Sequence, residues 1–116
     1  MNILEELTAL LTYDINIPFA TGHFIGVPPD EYVVLVPLAD SYDLAADNRP
    51  QTDTQEVRLA LYTKGNFTAL RDKILMSLIN QDFTITDRRY IGYEADTQLH
   101  HVAIDVLKNY PVKEGN

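Results

Sequence analysis

At 116 residues the chain has the length of one domain, and a hydrophobic content of 46% supports a core of ordinary size. A formal net charge of −8 leaves few cations to face phosphates, so nucleic acid is a poor partner, and the absence of cysteine excludes disulfides and thiolate metal sites. The longest apolar run, residues 32–39, falls far short of the ~20 residues a membrane-spanning helix needs, and no secretory leader is expected where Glu5 and Glu6 follow so soon after the start. Synthesis in a cytoplasm is the expectation.

The charge is unevenly spread. Residues 1–58 carry ten acidic side chains against two arginines, whereas residues 59–116 carry seven of each sign. Such asymmetry serves solubility, or it marks a surface for a basic partner; composition leaves both open.

Ile3, Leu4, Leu7, Leu10 and Leu11 form one stripe of a 3.6-residue period, predicting a helix that Asn2 and Glu5 can cap and that ends before Pro18. Two β-like runs follow, FATGHF (residues 19–24) and YVVLVPLA (residues 32–39), with Gly26, Pro28 and Pro29 marking a turn between them. Pro37 cannot donate to a ladder, which places its part of the strand at an edge or bulge. Residues 40–54 show no apolar period and read as a long acidic loop. Beyond it Val57, Leu59 and Leu61 alternate with Arg58, Ala60 and Tyr62 as a half-buried strand.

Asn66 is placed to cap a second helix whose stripe is Phe67, Leu70, Ile74, Leu75, Leu78 and Ile79. Two last runs, near residues 83–93 and 99–109, read as a hairpin. In the second, Val102, Ile104 and Val106 share one face and His101, Ala103 and Asp105 the other. Residues 111–116 read as a frayed tail. The predicted order is α-β-β-β-α-β-β, a single α+β domain with a largely antiparallel sheet and both helices on one face.

Catalytic equipment is sparse. The two serines, Ser41 and Ser77, lie in no nucleophile elbow, and no phosphate-binding glycine loop is present. His100 and His101 are adjacent in a strand and point to opposite faces, so they cannot share an ion, and the aspartates lack calcium-loop spacing. No catalytic residue, metal or cofactor is assigned.

The order of several short segments resembles a known family. A short amphipathic helix leads to Gly22-His23-Phe24 and a turn at Pro29; then come a hydrophobic strand, Ala46-Asp47-Asn48, a strand closing on Leu61-Tyr62-Thr63-Lys64, a charged helix, and a hairpin around Tyr90-Ile91. This is similar to the small tail-completion and head–tail joining proteins, tail terminators included, of long-tailed bacteriophages and prophages. The likeness runs over roughly residues 2–108. It implies a non-enzymatic virion protein, made in the bacterial cytoplasm, that forms a ring, commonly sixfold, against the tail tube and head connector. The segment RPQTD makes the loop longer than the family pattern implies.

A ring needs two different patches per subunit. The loop would offer Asp40, Tyr42, Asp43, Asp47, Asn48 and Arg49, and the basic side would be Arg58, Arg88, Arg89 and Lys108. The other reading is a small cytosolic module that recognises a basic protein partner through the acidic loop.

Overall fold

A computed structural model describes residues 2–44 and 50–112, with side chains placed for all of these except residues 42–44 and 50–51. Helix α1 (Ile3–Ala9) begins as its sequence dictates, with the Asn2 side chain accepting from the Glu5 amide at 2.9 Å and both glutamates in the first turn. It runs on as a π-helical segment (Leu10–Ile15) and stops where Asn16 turns left-handed at φ 60°, one of the few residue types that tolerates that region. The helix therefore ends two residues ahead of Pro18.

Five strands follow, with α2 between the third and fourth. They are β1 (Phe19–Thr21), β2 (Glu31–Leu44), β3 (Pro50–Thr63), α2 (Phe67–Asn80), β4 (Thr84–Glu94) and β5 (Leu99–Pro111). The sheet order is β1-β2-β3-β5-β4, antiparallel apart from β1, which lies parallel to β2. The α+β order read from the sequence is the order of the fold.

Alternation along the central strands sets the layers. Val57, Leu59 and Leu61 of β3, with Val33 and Leu35 of β2 and Val102, Ile104 and Val106 of β5, make one buried sheet face. Against it lie Leu7, Leu10, Leu11 and Ile15 from the first helical segment and Leu70, Ile74, Leu75 and Leu78 from α2. Asn66 caps α2 by accepting from the Ala69 amide at 3.1 Å. Ile79, expected in the buried stripe, is 57% exposed. With Met76 it lines a trough between α2 and β4 rather than the centre of the sheet.

The long loop over residues 40–54 is corrected by the structure. β2 continues through Asp40 to Leu44, and β3 starts at Pro50, with Asp40 opposite Gln55, Ser41 opposite Thr54 and Asp43 opposite Thr52. Residues 45–49 lie outside the described residues. The apolar period is missing because this distal hairpin reaches past the helical layer and has little core to bury. Its order comes instead from the backbone ladder and from β5, which pairs with β3 as far as Thr52 opposite Pro111. The frayed tail is likewise shorter than expected, since Pro111 is in β5, while residues 113–116 lie outside the described residues. The hairpin stretches the molecule to 54 × 26 × 24 Å and its radius of gyration to 15.8 Å. A compact chain of this length would have roughly 13 Å.

Leu59 is fully buried at the middle of β3. Leu59→Ala should therefore lower the unfolding free energy by about 2–5 kcal/mol, measured by urea denaturation.

Candidate functional site

The residues proposed from the sequence divide into those the fold uses internally and those it leaves at the surface. Arg58 donates twice to Asp105 across the β3–β5 pair, at 2.7 and 3.0 Å. That hydrogen bond, with the carboxylate's charge behind it, pushes the guanidinium still further towards its charged form. Lys108 donates to Glu6 Oε2 at 2.7 Å and to the Gln81 carbonyl at 2.8 Å, and its ammonium sits 4.5 Å from the centre of the Phe83 ring. Tyr110 adds a hydroxyl bond to the same Glu6 oxygen at 3.1 Å. Burial, reinforced by Glu6, pushes the Tyr110 phenol well above its ordinary value. Arg58 and Lys108 are thus tied within the subunit, although both side chains keep part of their surface in solvent.

Arg88 and Arg89 stay exposed on β4. Arg89 pairs with Asp87, whose carboxyl is held below its usual range first by that hydrogen bond. Arg88 has no ion pair among the described residues. Together with Arg71 and Tyr90 they line a cleft of about 200 Å³. Arg88 also belongs to the trough of about 580 Å³ between α2 and β4, whose other walls are Asp72, Leu75, Met76, Ile79 and Ile85. Arg71 leans on Asp72 at 3.2 Å. Exposed pairs of this kind are worth ~0–1 kcal/mol and are readily exchanged for a better partner. The sequence reading missed Arg71, Met76 and Ile79. Its one available signal was that the apolar arc of α2 is wider than a single core-facing stripe.

The acidic residues lie elsewhere. Asp40 and Ser41 are exposed on the distal part of β2, and Tyr42 and Asp43 continue that strand opposite Asp53 and Thr52. Asp47, Asn48 and Arg49 lie outside the described residues.

The sheet face away from the helices has its own order. Tyr32, Tyr62, His101 and Gly92 are successive cross-strand partners on β2, β3, β5 and β4. Phe24 tilts against Tyr32 at 5.0 Å, Tyr32 stacks on Tyr62 at 4.8 Å, and Tyr62 on His101 at 4.3 Å. Gly92 ends the row with open space where a Cβ would stand. Gly22, His23, Phe24 and Pro28 fold over this face and enclose a cleft of about 260 Å³ above Val34 and Ala60. His100 points the other way, its Nδ1 3.0 Å from the Tyr90 hydroxyl, among the rings of Phe67, Tyr90 and Tyr93. Among the described residues no three His, Asp or Glu side chains are grouped to hold a metal ion.

No protein-family model matches the chain, and no curated protein is significantly similar to it in sequence.

Two half-buried polar groups give testable consequences. Lys108→Met strands the Glu6 carboxylate with Tyr110 alone, and should cost about 1–3 kcal/mol in chemical denaturation while leaving the β4 surface intact. His101 has a buried Nε2 without a hydrogen-bond partner among the described residues, and burial pushes its imidazole below the ordinary value of 6.5, with Arg58 adding to the effect and Glu94 opposing it. The folded protein therefore holds its proton less readily than the unfolded chain. This contribution to stability is whole above 6.5 and is lost as the pH falls through the lower folded value. Melting curves at about pH 7.5 and about pH 5 should show a smaller drop for His101→Phe than for the native chain.

Proposed function

We propose that this chain is a structural virion-assembly protein that completes a phage tail or joins it to the head as one subunit of an oligomeric ring. The observation that carries the reading is the placing of two unlike surfaces on one elongated subunit. An acidic hairpin projects past the core, and a strip with Arg71, Arg88, Arg89 and the exposed Met76 and Ile79 lies along α2 and β4. Unlike surfaces on one subunit give head-to-tail contacts, and these close into rings when the rotation allows. Charge complementarity between them would set register and association rate. The place in the virion is supported only by the resemblance of the order of sequence segments to that of tail-completion proteins.

The second reading, a binding module for a basic protein partner, is favoured by the exposure of Asp40 and its neighbours over residues 37–41 of β2. In that case β4 has no part in function.

Electron microscopy of lysates from a host in which the gene is deleted decides between them. Free heads beside unattached tails, with tails of irregular length if the protein terminates them, are expected. Intact infectious particles would overturn the virion reading.

A further inference from the structure

Among the described residues the two longest unpaired strand edges are those of β4 and of the distal part of β2; the outer side of the three-residue β1 and the last four residues of β5 are shorter ones. β4 pairs only with β5, so the outer side of all its 11 residues is open among the described residues. β2 pairs with β1 only from Val33 to Leu35, so its outer side is open over residues 36–44. Open edges present rows of unpaired N–H and C=O groups, and proteins normally blunt them with proline, bulges or charge. On β2 the proline and one bulge, at Pro37 and Ala39, lie close to β1; a second bulge falls between Asp43 and Leu44, and residues 39–43 between the two pair regularly with β3 and hold no proline. On β4 the bulges fall between Ile85 and Asp87 and between Tyr90 and Gly92, and Arg88 and Arg89 lie between the two.

β4 carries Asp87 and Glu94 beside Arg88 and Arg89, but Asp87 is taken up by Arg89, which leaves Arg88 as a cation with no ion pair among the described residues. Asp40 marks the β2 edge and Arg88 the β4 edge, so a pairing that sets Asp40 against Asp40, or Arg88 against Arg88, brings like charges together. Pairing of one with the other brings unlike charges together. The sides of the sheet agree as well. Asp40 is opposite Gln55, whose side chain reaches the amide of Ile3 in α1, so Asp40 belongs to the helix side. Arg88 is opposite the core residue Ile104 and faces the trough beneath α2. Ser41 and Arg89, opposite Thr54 and Ala103, share the other side.

We infer that the distal edge of β2 in one copy adds as a strand to the outer edge of β4 in a second copy, with Asp40 meeting Arg88 so that the sheet continues from subunit to subunit. This deepens the ring reading above and rests on it: backbone hydrogen bonds hold the contact and the charges fix its register. The contact is heterologous, because each copy gives a β2 edge to one neighbour and a β4 edge to the other.

The absence of native cysteine makes the test clean. Continuing the sheet with its sides matched runs β2 antiparallel to β4, so Asp40 opposite Arg88 brings Ser41 beside residues 86–87. Purified Ser41→Cys chain is mixed with Thr86→Cys chain and treated with a short bis-maleimide, beside a control pairing Ser41→Cys with Thr8→Cys on α1. A crosslink well above the control is expected for the first pair. It should be lost when the Thr86→Cys chain also carries Arg88→Glu and Arg89→Glu, and regained when the Ser41→Cys chain carries Asp40→Lys. Circular dichroism and melting curves confirm that each variant is folded. A crosslink no stronger than the control, or one indifferent to the arginine reversals, overturns the inference. Rings seen by microscopy without this crosslink would overturn the contact and leave the ring reading standing. The crosslink together with intact particles after gene deletion would uphold the contact and remove the virion role.

Discussion

The pairing of β3 with both neighbours over nearly its whole length is the constraint on which the rest of the molecule depends. Its register puts Val57, Leu59 and Leu61 under the helices and Arg58, Ala60 and Tyr62 on the opposite side. A slip of one residue would turn this arrangement inside out, placing a guanidinium in the core and three large aliphatic side chains in water. The Arg58–Asp105 fork and the Tyr62–His101 stack act across the same pair and resist such a slip. The same strand outruns the helical layer, so the molecule has a proximal half with a core and a distal half held chiefly by its ladder.

That division explains what the sequence could and could not reveal. Where the sheet has one wet and one dry side, period-two alternation is clear, and β3 near Leu59 and β5 near Ile104 were legible residue by residue. The helices were legible through their apolar stripes and their asparagine caps. In the distal hairpin the alternation fades, and a stretch such as residues 50–54 reads as loop although it is strand. Pairing with β5, a partner some fifty positions away in sequence, stabilises it, and local pattern carries no trace of that. The β4 surface was half legible. Arg88 and Arg89 stood out as charges, but only the fold shows that Arg71, Met76 and Ile79 join them. For Lys108 the sequence showed a charge but not its ties to Glu6 and to the Gln81 carbonyl, both far from it along the chain.

The two sides of the sheet differ in the kind of order they impose. The helix side is aliphatic and close-packed, with Thr63 the one buried polar side chain among the described residues, its hydroxyl donating to Glu31 and accepting from the Gly65 amide. The other side is built from rings in a row. Aromatic faces stack with defined geometry, so this side orients its strands through direction more than through volume. The row ends at Gly92, which gives His101 no ring on the side away from Tyr62.

β5 follows every other element in sequence yet lies inside the sheet, between β3 and β4. During synthesis the β2–β3 hairpin can close as soon as it emerges, but β3 remains without its second neighbour. The first helix likewise lacks Lys108 and Tyr110, the groups that hold Glu6. Until residues near Tyr110 have left the ribosome, the nascent chain carries a half-covered core and an extra bare strand edge. Folding of this domain is thus a late, near-simultaneous event, and its pace is set by closing contacts of high sequence separation rather than by the quick formation of its helices and hairpins.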